Sequence, residues 1–88
     1  MNFLMVQHRV EDYEKWKVVY DNHEGTRDEY GVKEKYVLRN IEDMNQVTIL
    51  FEIADISRSK EFIHSKSLQE AMEKAGILGE PEFVFLTG

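Results

Sequence analysis

From Phe3 to Val10, Phe3 and Met5 alternate with Leu4, Val6 and Val10, a period of two with apolar residues on both faces. That pattern predicts a strand covered on both sides. The period then changes. Tyr13, Trp16, Tyr20, His23, Arg27 and Tyr30 recur at intervals of three and four, which lines them along one stripe of a helix. Asp12 is placed to cap free amides at its start, and Glu14 sits at the positive end of the helix dipole. The stripe keeps its phase across Gly25, so one continuous helix from Tyr13 to Tyr30 is predicted, with Gly31 supplying the left-handed stop.

Period two returns at Val32–Ile41 and again at Gln46–Ala54, separated by the turn-forming Glu42-Asp43-Met44-Asn45, which predicts a hairpin. Pairing Arg39 with Thr48 segregates the residues cleanly: Tyr36, Leu38, Ile49 and Phe51 then face the helices, and Val37, Arg39, Leu50 and Glu52 face away. Asp55-Ile56-Ser57-Arg58-Ser59 offers several capping side chains. A second helical stretch follows, with Phe62, Ile63, Leu68, Ala71, Met72 and Ala75 at helical spacing and a kink or restart at Ser65-Lys66-Ser67. Ala75 to Pro81 reads as a stop and a turn, and Glu82–Thr87 as the last strand.

The resulting order of strand, helix, strand, strand, helix, strand predicts one α+β domain over residues 1–88, a ferredoxin-like βαββαβ fold. Its antiparallel sheet carries both helices on one face. The other face is also apolar and would be bare in a monomer, so a homodimer through the face opposite the helices is expected. Arg39 and Glu52 are expected to share that face as an orienting pair. Size and composition reinforce the dimer. A chain of 88 residues buries a marginal core, and with no cysteine it has neither disulfides nor thiolate zinc sites to reinforce it.

The formal charge is −6, from 11 Lys plus Arg against 17 Asp plus Glu, with no basic cluster. A nucleic-acid partner is therefore not expected. Met1–Val6 lacks the positive leading region of a signal sequence and reads as a strand. No apolar run reaches membrane-spanning length, so a cytoplasmic protein with no membrane partner is expected. His8, His23 and His64 fall on different elements without a His-x-x-x-His pair, and no metal site is expected.

Several segments together resemble the dimeric α+β barrel proteins of the antibiotic-biosynthesis-monooxygenase-like superfamily, in particular a group of small single-domain bacterial and archaeal proteins of unassigned function. They are Val10-Glu11-Asp12-Tyr13-Glu14-Lys15-Trp16-Lys17, Tyr20-Asp21 with His23 and Arg27, Leu38-Arg39-Asn40 with Asp43 and Asn45, and Ala71-Met72 with Ala75-Gly76-Ile77, Gly79 and Pro81. The resemblance spans nearly the whole chain and implies a dimeric α+β barrel. Within that superfamily, the asparagine, histidine and tryptophan set of the haem-degrading branch has no counterpart at matching places, so neither haem nor any other cofactor is expected.

The candidate chemistry lies on the first helix. His23 and Arg27, one turn apart, suit a proton-transferring imidazole and a guanidinium that holds an anionic group or developing enolate. Their alternative role is to close the helix–sheet junction. Tyr13, Trp16, Tyr20 and Tyr36 suit an aromatic site for a small hydrophobic or aromatic ligand, or else the core. Two functions follow. One is a dimeric small-molecule-binding or scaffold protein with its pocket between the first helix and the sheet. The other is a cofactor-independent monooxygenase or isomerase-like enzyme acting on a small aromatic or enolisable carbonyl compound. A pocket of roughly 300 Å³ or more reaching His23 favours ligand binding, and a filled junction favours structure.

Overall fold

Leu4, Val6, His8 and Val10 of β1 (Asn2–Val10) point to one face and are all buried. The computed structural model describes residues 1–88 and places β1 inside a four-stranded sheet. The other strands are β2 (Val32–Arg39), β3 (Gln46–Ile53) and β4 (Ile77–Thr87), in the order β2-β3-β1-β4 with every neighbouring pair antiparallel. Val47, Ile49, Phe51 and Ile53 of β3 are buried on the same side as the inward residues of β1. Trp16, Tyr20, Phe62 and Ala75 from the helices join them in one core. This is the expected ferredoxin-like α+β architecture.

Local chemistry sets the helix ends. Asp12 accepts from the backbone N–H of Glu14 at 2.9 Å and opens α1 (Tyr13–Asn22). Asp55 accepts from the N–H of Arg58 and opens α3 (Ile56–Ile63). The expected restart occurs at Ser65, whose hydroxyl accepts from the N–H of Leu68 at 3.1 Å and opens α4 (Lys66–Ala75).

The first helix is not continuous. It stops at His23, and α2 (Glu24–Glu29) begins immediately afterwards, two residues short of where Gly25 would weaken it. His23 sits at φ −92°, ψ 2°, with its N–H turned to the carbonyl of Tyr20. That carbonyl also accepts Arg27 Nη1 at 2.7 Å. The break thus leaves carbonyls at the end of α1 that a buried cation can satisfy, a favourable match to the negative end of the helix dipole. Gly25 is accommodated inside α2, and Gly31 takes the left-handed conformation expected of it (φ 69°).

The hairpin register also differs from expectation. The β2 ladder shifts between Glu34 and Tyr36, and beyond that bulge the pairs are Tyr36 with Leu50, Leu38 with Thr48 and Arg39 with Val47. One extra residue, Lys35, reverses the faces. Val37 and Arg39 therefore face the helices, whereas Tyr36 and Leu38 face away, 54 % and 52 % exposed. Arg39 does not share a face with Glu52. Its Nε donates to the Met44 carbonyl at 2.8 Å and its guanidinium lies 3.7 Å from the centre of the Tyr13 ring, while Glu52 lies 4.0 Å from Lys35.

β4 begins at Ile77, earlier than expected, because Ile77 and Leu78 pair with Val10 and Arg9 before an irregularity in the ladder. Gly79 has φ 72° there, and Pro81 is tolerated because β4 is an edge strand. The sheet face away from the helices carries an apolar patch, with Phe3, Met5, Leu50 and Val84 half-buried beside Tyr36 and Leu38, and shares that face with Gln7, Thr48, Glu52 and Glu82. No helix is long and apolar enough to cross a membrane.

Candidate small-molecule cavity

Helical spacing brings Tyr13, Trp16 and Tyr20 over the sheet, and their rings pack in series. Tyr13 and Trp16 are 5.6 Å apart, and Trp16 stacks on Tyr20 at 4.8 Å and 19°. Beyond this stack, a cavity of about 60 Å³ lies between the helix layer and the sheet. Phe62, Leu68 and Met72 close it from α3 and α4, and Val6, Ile49 and Phe51 form part of its floor. Its walls are apolar except at His8, His23 and Arg27. The space is well below the roughly 300 Å³ of a ready-made ligand pocket.

Trp16, Tyr20, His23 and Arg27 all reach this cavity. Tyr13 stands at the far end of the aromatic row, under Arg39. Tyr36 lies on the opposite face of the sheet, outside the grouping expected for it, because the Lys35 bulge turns it outward.

His23 and Arg27 are engaged within the protein. Arg27 is 5 % exposed, forms no ion pair, donates to the Tyr20 carbonyl and sits 3.9 Å from the centre of the Tyr20 ring. Its positive charge is offset by a carbonyl dipole and a π face. The Tyr20 hydroxyl donates to Glu34 Oε1 at 2.9 Å. Burial raises the phenol well above its ordinary pKa, and the nearby Arg27 acts in the opposite direction. Burial, and secondarily the charge of Arg27, lowers the pKa of His23.

His23 Nε2 lies 2.9 Å from Ser67 Oγ, the one side-chain hydrogen bond between the α1–α2 corner and α4. The cavity lies beneath this seam. Ser67→Ala is expected to remove a net hydrogen bond of about 1 kcal/mol and raise transient opening about fivefold. Acrylamide quenching of Trp16, the sole tryptophan, measures this opening. Ser67→Thr should quench like the unmodified protein, and unchanged quenching in Ser67→Ala would show that apolar packing alone holds the seam.

His8, weighed above only as a metal ligand, is a further polar residue of the wall. It is 6 % exposed, its ring lies 5.6 Å from Trp16, and neither Nδ1 nor Nε2 has a hydrogen-bond partner within the protein. Burial holds its pKa down at about 4, so the imidazole is neutral near neutral pH. The signal was present in the alternation of β1, where position 8 shares its parity with Leu4, Val6 and Val10. A neutral imidazole supplies one donor and one acceptor. No group of three or more metal-ligating side chains converges in the fold.

Comparison with solved structures matches this architecture closely. A Bordetella bronchiseptica protein provisionally named an antibiotic biosynthesis monooxygenase superposes with a TM-score of 0.82 at 12 % identity, covering 99 % of this chain and 95 % of its own. The chain has the antibiotic biosynthesis monooxygenase-like fold. A similarly named protein of Caulobacter crescentus CB15 gives 0.74 at 12 % identity, covering 97 % of this chain and 86 % of its own. A NIPSNAP domain protein of Burkholderia xenovorans gives 0.69 at 14 % identity, covering 100 % and 94 %. No family model matches the sequence, and no curated protein matches it at a significant level.

Proposed function

We propose that the protein is a homodimeric small-molecule-binding protein whose site is the cavity between α1 and the sheet. The supporting observation is the unpartnered imidazole of His8 beside an apolar space of about 60 Å³ walled by Trp16 and Tyr20, a space that has to widen to admit a ligand. A filled core has no use for such a group, because a buried polar atom without a partner costs about 1–3 kcal/mol. A bound molecule with complementary polarity offsets that cost. The dimer forms through the outer face of the sheet, where Phe3, Met5, Tyr36, Leu38, Leu50 and Val84 form an apolar surface.

A second reading is a cofactor-independent monooxygenase or isomerase-like enzyme acting on a small aromatic or enolisable carbonyl compound. Arg27 favours it, because a cavity-wall cation without a carboxylate partner can stabilise a developing enolate. The names of several fold neighbours point the same way. His8 or His23 would take the proton.

Native mass spectrometry of protein purified from its own host tests both parts of the proposal. A dimer mass with a retained small organic molecule is expected, and Leu38→Glu should shift the protein to monomer. A monomer at micromolar concentration by light scattering would remove the dimer. An empty protein that also takes up no small apolar molecule on titration would remove the binding site.

A further inference from the structure

We infer that α4 is the gate of this cavity, tilting away from the sheet about Gly76 and admitting a ligand through the seam between His23 and Ser67. The inference rests on the binding site proposed above, since a space of about 60 Å³ takes up a ligand only when one of its walls moves. Most of the walls are held from several directions. The strands of the floor are locked in the backbone ladder of the sheet. α1 is anchored by Trp16 and Tyr20, both buried, and the Tyr20 hydroxyl reaches across to Glu34 of β2. α2 is tied to α1 by Arg27 on the Tyr20 carbonyl. α3 is held by buried Phe62 and by Arg58, whose Nη2 donates to the Glu29 carbonyl at 2.7 Å.

α4 lacks such anchors along most of its length. Leu68, Ala71 and Met72 line the cavity yet are only half-buried, and Ala75, at the C-terminal end, is the one buried residue of the helix. Gln69, Glu70, Glu73 and Lys74 are exposed, so no element covers its other side. The bond of His23 to Ser67 is its only side-chain hydrogen bond to another element. A helix with so little buried surface opens more readily than its neighbours. Its two ends differ. Gly76 takes the left-handed conformation (φ 73°, ψ 42°), its carbonyl accepts the N–H of Glu11 at 3.0 Å, and Ile77 enters the sheet opposite Val10. At the other end only His64 and Ser65 separate α4 from α3. Residues at element ends absorb the backbone rotation of a lid. Gly76 is thus the fixed pivot, and the Ser67 end, beside the cavity-lining His23 and Leu68, travels.

Amide hydrogen exchange of the full chain, together with toluene titration followed by nuclear magnetic resonance line shapes, tests the gate. In the unmodified protein the amides of α4 should open about tenfold or more often than those of α1. Ser67→Ala, which removes one hydrogen bond at an exposed position, should raise exchange in α4 about fivefold and leave α1 and the strands unchanged. The closed gate carries that bond whether or not toluene is inside. Association and dissociation rates should therefore rise together about fivefold in Ser67→Ala, while Kd stays the same. Ser67→Thr should match the unmodified protein. Amides of α4 that open no more often than those of α1 would overturn the gate and leave the cavity as a ligand site. Toluene rates unchanged in Ser67→Ala would also overturn it, by placing the entrance elsewhere. Toluene that never saturates the protein, with α4 still opening independently, would overturn the binding site on which the gate rests.

Discussion

Trp16→Ala loses about 3–5 kcal/mol of folding stability, the usual cost of removing a large buried aromatic. Trp16 is 2 % exposed and stacks on Tyr20, with the rings of Tyr13 and His8 each 5.6 Å away. No small residue can close the space this indole leaves, because its neighbours belong to a strand and to the same helix and cannot move independently. Net stabilities of about 0.05–0.15 kcal/mol per residue leave an 88-residue domain with roughly 4–13 kcal/mol, so the loss is a large share of the whole. Denaturant unfolding of Trp16→Ala followed by circular dichroism checks it, with Trp16→Phe expected to lose markedly less. A loss below about 1 kcal/mol would mean that the aromatic row is not the anchor of the helix layer. Tyr36→Ala is the contrast. It removes an aromatic of similar bulk from the opposite face, and under the homodimer proposed above its effect should appear in dimer dissociation rather than in the unfolding of a monomer.

Acidification from pH 7 to pH 4 destabilises the protein by about 3 kcal/mol through His8, since each pKa unit of difference between folded and unfolded states is worth about 1.4 kcal/mol. In the unfolded chain, His8 titrates near its ordinary value of 6.5, and burial lowers it to about 4 in the folded state. The unfolded state therefore binds more protons throughout that window. The contribution is complete above pH 6.5, falls as the pH drops, and levels off below about 4. His23, also lowered, adds in the same direction. Thermal and urea unfolding between pH 7.5 and 4, at one protein concentration because a dimer's stability depends on it, should show a flatter pH profile for His8→Phe than for the unmodified chain. Equal slopes would place the acid sensitivity elsewhere.

Most of the scaffold was legible residue by residue. Caps at Asp12, Asp55 and Ser65 and the left-handed Gly31 act within a few residues of themselves, so inspection finds them. Alternation identified all four strands for the same reason. Of the residues lining the cavity, Trp16, Tyr20, His23 and Arg27 share the stripe of helical spacing. Their surroundings were not legible. The carbonyl of Tyr20 and the hydroxyl of Ser67, which engage Arg27 and His23, belong to a helix end and to a distant helix. Tyr36 was misplaced because one bulged residue reverses every later side chain in β2, and no local preference announces a bulge at Lys35.

The amino-acid sequence by itself determined the element types, their order, the caps and the two-faced apolar sheet, because each follows from the chemistry of neighbouring residues. Only the tertiary structure decided the break at His23, the faces of the β2–β3 hairpin and the isolation of His8. Each of these depends on which groups meet across elements far apart in the chain. Whether a histidine at an inward position of a strand is hydrogen-bonded depends on which elements pack over it. Here β1 carries His8 inward beneath Trp16, and no neighbouring element brings it a hydrogen bond.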